Sequence, residues 1–445
     1  MTKDKGQVTK DKLTLEAQRE QAKQRLREGL RSGQREMADW RGGPLAVSAV
    51  PGAGKSKGMA DAAALTLAAR NLSGFSSQGD LVVVTFTRSA AANIKAKIRE
   101  ALKQLLVPPR GFFVYTLHGL AFHIAVQHPQ ISGISSEEVT VISPNKSNQL
   151  IKTCVEKWIT AHPRHYQLLV EINFDGEETE RLRRMSVLRT EVLPELATTV
   201  IHEAKSSGLL PGKLRELAAQ VPPDEYQVME IAAGLYTEYE NLLRARQVID
   251  YDDMIIAGER VLDNPEARKI WQQKILAVFE DEAQDSTPLQ TKLLEILATD
   301  PENPDAPPNL IRVGDPNQAI NSTFTPADPI YFRRFCEECQ KEGRFARMDR
   351  AGRSSQIIID AANFMLHWVN NRRAKISDEG DNYLGGGRSR ELNRKDNSNT
   401  KRETPFEPQD IKSVSAGDPQ KMLTRLPRGW DWKFTLPEIF IIRWS

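Results

Sequence analysis

Cysteine is scarce in this chain of 445 residues: there are three, which do not make a disulfide framework. Cys336 and Cys339 form a lone Cys-x-x-Cys with no second pair. A structural zinc needs about four ligands, so the expectation is a pair on a helix surface and no metal there. Long apolar runs are missing too. None is long enough to span a bilayer, and the first residues lack the basic and apolar regions of a secretion signal. That leads to the expectation of a cytoplasmic protein with no membrane partner. Charge of one sign is also missing. The net charge is +2, so no global basic field attracts nucleic acid, and any such site must be a local groove. What is present, 40% hydrophobic and 27% charged residues, suits a soluble globular protein. The length suggests about two to three domains.

The chain is organised around Ala49-Val50-Pro51-Gly52-Ala53-Gly54-Lys55-Ser56. It stands between an apolar run, Pro44 to Ala49, and a helical pattern, Gly58 to Ala69. Strand, glycine-rich loop and helix form a nest whose backbone N–H groups and helix N-terminus suit phosphate oxygens. Lys55 reaches the outer phosphates as a point charge, and the Ser56 hydroxyl takes one position on Mg²⁺. The usual pattern has Gly where Ala49 stands, and a small residue there still permits the turn.

Residues 1–40 are charged, Gln-rich and helix-favouring, with leucines too sparse for a sustained coiled coil and disorder expected over the first dozen residues. Gln34 precedes the strand that enters the phosphate site. Its amide can read an adenine edge, or it can simply lie on a helix surface. Leu81-Val82-Val83-Val84-Thr85-Phe86 is a continuous apolar run suited to a buried parallel strand, and a helix opens at Ser89. Phe113 to Thr116 is a third strand leading into Leu117-His118-Gly119. Strands alternating with helices predict a doubly wound α/β sheet with its functional loops at the strands' carboxyl ends. Thr85–Arg88 and Thr116–His118 lie at such ends, where hydroxyls, Arg88 and His118 suit phosphodiester contacts or helix caps.

Residues 134–225 are helical and polar without a strong strand, and read as an inserted helical subdomain. Asp250-Tyr251-Asp252-Asp253 is acidic, and its plainest reading is an N-cap before a helix. The second chemical centre is Ile275 to Phe279 followed by Glu280-Asp281-Glu282-Ala283-Gln284-Asp285. Successive strand residues face opposite ways. Asp281 can therefore hold Mg²⁺ while Glu282 polarises the water that attacks a γ-phosphate. A fifth strand, Leu310 to Val313, ends in Gly314-Asp315-Pro316-Asn317-Gln318, where Gln318 can sense that phosphate. Phe324 offers a stacking face to a base, or packs under its loop.

This order of signals resembles the UvrD/Rep-like family of superfamily-1 DNA helicases. The matching residues are Gln34, Ala49 to Ser56, Thr85-Phe86-Thr87 with Ala90-Ala91, Thr116-Leu117-His118, Asp281 to Asp285 and Gly314 to Ile320. Gly352-Arg353-Ser354 with Ala361-Ala362-Asn363 resembles the start of a second motor domain, and the likeness runs over roughly residues 25–370. The resemblance implies a P-loop NTPase motor of two RecA-like domains with ATP between them and single-stranded DNA across their tops. It implies translocation, usually 3′ to 5′, with separation of a duplex junction ahead and repair or recombination proteins as partners. It places Val50, Pro51, Gly52, Ala53, Gly54, Lys55, Ser56 and Lys57 around the phosphates, Gln34 on adenine, and Ser56 and Asp281 on Mg²⁺. Glu282 would activate water, and Gln318 and Arg353 would contact the γ-phosphate. Phe86, Thr87, Thr116, His118 and Phe324 would line the DNA path. Lys57 replaces a common Arg, keeping the charge and losing bidentate geometry.

The expected organisation is a first RecA-like domain over 1–130 and 226–340, a helical insertion over 131–225, and an incomplete second RecA-like domain from 341 to 372. A disordered or aberrant tail covers 373–445. The family's Asn-aromatic-Arg-Ser reads Ala351-Gly352-Arg353-Ser354 here, so Gly352 stands where the aromatic neighbour of the Arg is expected, and Asn321-Ser322-Thr323-Phe324 departs from its Tyr-x-Trp-Arg run. The closing segment can be back-translated one nucleotide earlier into an ordinary strand and loop, which suggests a frameshift near residues 424–429. Two functions follow. One is an ATP-dependent DNA helicase present as an N-terminal portion; the alternative is an inactive truncated module that binds nucleotide or single-stranded DNA, or a regulator, without unwinding.

Overall fold

A computed structural model describes residues 3–73, 79–135, 137, 139–172, 174–220, 226–318, 327–353, 355–365 and 368, with backbone alone over 3–14 and 70–73. The chain divides into a compact unit, Met1–Ala362, and a second unit, Asn363–Ser445. Everything below concerns the first. Phe324, the tail and the suspected frameshift lie outside the described residues.

The centre is a six-stranded sheet in the order β3-β2-β6-β7-β1-β8, parallel throughout. Its strands are β1 (Leu45–Ala49), β2 (Asp80–Thr85), β3 (Phe112–Thr116), β6 (Ile275–Asp281), β7 (Leu310–Gly314) and β8 (Phe345–Met348). A parallel sheet is covered on both faces, so its strands are apolar on both. Alternation divides them. Leu81, Val83, Ala277, Phe279, Ile311 and Val313 face the core built on the helices Lys55–Ser73 and Arg88–Gln104. Val82, Val84, Val278 and Leu310 face the opposite core, built on Leu117–Gln127, Tyr251–Asp263, Pro288–Ala298 and Pro329–Lys341.

Three expectations change. The chain is helical from Lys3 to Glu28, where disorder was expected over the first dozen residues; runs of Lys, Glu, Gln and Arg favour helix without any packing. Within residues 134–225, read as helical without a strong strand, β4 (Thr140–Val141) pairs in parallel with β5 (Val248–Ile249), a ladder of two residues that leaves that reading in place. The remainder of that region is helical around its own core, with Trp158, Ile201, Tyr236 and Tyr239 buried in it. Phe345–Met348, assigned to the beginning of a second domain, is the sixth strand of the first sheet, beside β1. Cys336 and Cys339 are buried in the core rather than on a helix surface. The helix Pro329–Lys341 turns Phe332, Phe335 and both cysteines inward, and burial pushes the thiols up to about 12 and about 11.

Candidate active site

All six strands of the main sheet run the same way, so their carboxyl ends share one edge, where loops with functional groups collect. At the end of β1 the chain turns through Val50-Pro51-Gly52-Ala53-Gly54. Gly52 and Gly54 take φ of 76° and 86°, in the left-handed region that favours glycine. At Gly52 the need is double, because a Cβ would lie 2.8 Å from Arg353 Cβ. The helix Lys55–Ser73 starts immediately, aiming its first N–H groups back into the loop.

The end of β6 meets this loop. Lys55 Nζ lies 2.6 Å from Glu282 Oε2, and Ser56 Oγ donates to Asp281 Oδ2 at 3.4 Å. Glu282 has φ of 58°, a left-handed value that non-glycine residues seldom take and that collects at functional sites. This turn separates the two carboxylates. Asp281 is buried, and burial first, then the Glu282 charge, raises its carboxyl to about 6. Its Oδ1 is buried with no hydrogen-bond partner among the described residues. A buried anionic oxygen left unpaired is costly. An oxygen-ligated divalent cation fits it, with the Ser56 hydroxyl beside it. Among the described residues no group of three or more His, Cys, Asp or Glu could hold a metal ion. Mg²⁺ commonly takes one or two carboxylates and completes its shell with water and substrate phosphates.

From Glu282 a relay crosses to β7. Gln284 Nε2 donates to Glu282 Oε2 at 3.0 Å, and Gln284 Oε1 accepts from Asp315 N at 2.9 Å. Asp315 in turn accepts from the Gln318 side-chain amide. Gln318 is thus tied to Glu282 through two intermediaries. Gln34 is buried against the phosphate loop, not exposed on a helix surface. Its Nε2 donates to the carbonyls of Ala53 and Gly54, both at 3.3 Å, and its Oε1 accepts from Arg31 N at 3.0 Å. Arg353 is exposed and borders the loop, where Gly352 N donates to Gly52 O at 3.0 Å. Lys57 pairs along its helix with Asp61 at 2.8 Å and keeps most of its side chain in solvent.

The ends of β2 and β3 are neighbours, with Thr85 opposite Thr116. Phe86, Thr87 and Arg88 are exposed there. The Thr87 and Thr116 hydroxyls cap helices, accepting from Ala90 N and Gly119 N, each at 3.1 Å. His118 stands beside the exposed Tyr251, ring centroids 5.7 Å apart, and burial lowers its pKa.

The sequence model for the UvrD/REP helicase N-terminal domain matches residues 30–340. The chain belongs to this family. It is 24% identical over 351 residues to the ATP-dependent DNA helicase PcrA of Leuconostoc citreum, covering 79% of this chain and 40% of that protein. It is 26% identical over 353 residues to UvrD1 of Mycobacterium bovis, covering 79% and 41%. Against a probable DNA helicase II homolog of Rickettsia felis it is 25% identical over 337 residues, covering 75% and 44%. The chain thus spans about 40% of the length of these curated relatives.

Three features of this UvrD/REP-type domain escaped the sequence reading. Tyr251 sat unnoticed inside an acidic capping sequence, although the cap itself forms, with Asp250 and Asp253 exchanging side-chain-to-backbone bonds. The same turn receives Lys205 from the helix Leu193–Ser206. Its wholly buried ammonium meets Asp253 at 2.6 Å, Asp250 at 2.8 Å and Glu240 at 2.9 Å. Across the middle of the sheet, Glu280 and Arg312 are register partners and form a buried ion pair at 2.5 Å. No sequence signal distinguishes such residues from surface charges, since only the fold places them inside.

Proposed function

We propose that this chain is the ATP-binding part of an ATP-dependent DNA helicase, hydrolysing ATP to move along single-stranded DNA, in the 3′ to 5′ sense. The observation that carries the reading is the meeting of Lys55, Ser56, Asp281 and Glu282 at one sheet edge. Ser56 and Asp281 would hold Mg²⁺, which when bound neutralises phosphate charge. Lys55 exchanges Glu282 for the outer phosphate oxygens and stabilises the charge that spreads over the transferring group. Glu282, released from that pair, accepts a proton from the attacking water. Gln318 reports the state of the phosphate through Asp315 and Gln284, and Arg353 approaches it from beside Gly52. Gln34 supports the loop from behind, and to read adenine its amide would exchange its bonds to Ala53, Gly54 and Arg31 for the base edge.

Phe86, Thr87, Arg88, Thr116 and His118 would meet single-stranded DNA, and Tyr251 joins them because it shares their strand-end surface. Phe324 keeps its proposed stacking role on sequence grounds alone. A first RecA-like domain with an inserted helical region, followed by the start of a second, remains our division of the chain, with Phe345–Met348 now in the first. Duplex junctions as substrates, repair or recombination proteins as partners and the cytoplasm as location belong to the same proposal. Among the described residues no helix is long and apolar enough to cross a membrane.

A second reading, a nucleotide- or DNA-binding module without turnover, draws support from the Lys55–Glu282 pair, which occupies both catalytic groups with each other. Steady-state ATPase with and without single-stranded DNA, alongside Lys55→Ala and Glu282→Gln, separates the two. A DNA-stimulated rate that both substitutions abolish supports the motor. Nucleotide binding with background turnover and no response to DNA supports the module.

A further inference from the structure

We propose that Thr85 is a positioning residue for the nucleotide-bound cation: its hydroxyl and Asp281 Oδ1 together hold one water of the cation's shell. The inference rests on the nucleotide reading above. Thr85 Oγ1 and Asp281 Oδ1 are both buried, and neither has a hydrogen-bond partner among the described residues. They lie on adjacent strands. The β2–β6 register runs to Val84 opposite Glu280, and one further residue brings Thr85 beside Asp281. Alternation puts both side chains on the face of Leu81, Val83, Ala277 and Phe279, the face of the phosphate-loop helix.

Two unsatisfied polar atoms on one buried face are expensive separately, and a water with partners on several sides relieves both. Chemistry favours a cation-bound water over an isolated one. Such a water turns its lone pair to the metal and has two O–H groups to donate. A carboxylate oxygen and a hydroxyl oxygen are two acceptors of the right kind. Thr85 directly precedes Phe86, Thr87 and Arg88, and pairs with Thr116. The water therefore joins the cation site to the strand ends proposed to meet DNA. This second link is independent of the relay through Gln284 and Gln318.

The test is a titration of a fluorescent ADP analogue into the full chain at graded Mg²⁺, with Thr85→Val, Thr85→Ser, Thr85→Ala and Asp281→Asn. Thr85→Val keeps the shape and loses the hydroxyl. It is expected to need about fivefold to tenfold more Mg²⁺ for half-maximal binding, the worth of one hydrogen bond. Its metal-free nucleotide affinity and its melting temperature should not fall. Thr85→Ala should behave alike, and Thr85→Ser should restore the wild-type Mg²⁺ requirement. Should Thr85→Val and Thr85→Ala match wild type while Asp281→Asn loses the Mg²⁺ response, the role of Thr85 is wrong and the nucleotide site stands. Absence of any Mg²⁺-dependent binding by the wild type would overturn the nucleotide reading, and this inference with it.

Discussion

Lys55 Nζ and Glu282 Oε2 are 2.6 Å apart, joining the glycine-rich loop to the end of β6. The lysine side chain is largely enclosed, so the pair is poorly screened by solvent, and phosphate must compete with it. Glu282→Gln removes the competing charge and, on the proposed mechanism, the general base as well. Nucleotide affinity should hold or rise by about threefold, while turnover falls by about 10²–10⁴, the usual contribution of a general base. Equilibrium binding of a fluorescent nucleotide, paired with single-turnover hydrolysis, reads the two effects separately.

Arg312 and Glu280 form a second pair one residue before Asp281, buried to 1% exposure on each side. Arg312 also donates to Thr291 Oγ1, and its guanidinium lies over the Phe335 ring. Removing one partner leaves a charge without compensation, so Arg312→Met should cost about 3–5 kcal/mol in chemical denaturation. The double change Glu280→Leu with Arg312→Met should recover most of that loss, because apolar pairs often replace buried ions at little cost. A double variant as unstable as the single one would contradict this account.

Lys205 faces Asp250, Asp253 and Glu240 in the seam between the helices Leu193–Ser206, Val228–Ala245 and Tyr251–Asp263. Burial and the neighbouring Asp250 raise Asp253 to about 7, against the pull of Lys205. A carboxyl raised on folding binds its proton more tightly in the native state. Its contribution to stability is present below the ordinary carboxylate range and is lost as pH rises through about 7. His202, raised by its bond to Asp252, changes in the same direction, and His118, lowered by burial, in the opposite one. Melting temperatures from pH 6 to 8 should therefore fall more steeply in wild type than in Asp253→Asn. Lys205→Met should be destabilised at every pH, by about 3–5 kcal/mol.

Gly52 combines a left-handed φ with Arg353 pressed against it. Gly52→Ala should cost about 1–2 kcal/mol from backbone conformation, and it should also displace residues 351–353. Faster proteolysis or hydrogen exchange at those residues, with the helix Lys55–Ser73 still protected, would separate the local effect from general loosening.

Sequence alone determined the elements whose signal is local. The phosphate loop was legible because Gly-x-Gly-Lys-Ser between a strand and a helix has few structural uses. β2 and β6 were legible because a strand buried on both faces is apolar without interruption. Asp250 announced a helix start through capping chemistry.

Tertiary structure decided whatever depends on residues far apart in the chain. β8 is four residues long and has no pattern of its own; pairing with β1 makes it part of the sheet. Lys205 and Arg312 look like solvent-exposed charges in sequence, yet the fold buries both against carboxylates 32 to 48 positions away. Gln34 could have lain on a surface, and the close approach of Gly54 and Gly58 set it against the loop instead. The open oxygens of Thr85 and Asp281 are hidden most deeply, because an unmet hydrogen bond belongs to the packed neighbourhood and to no single residue.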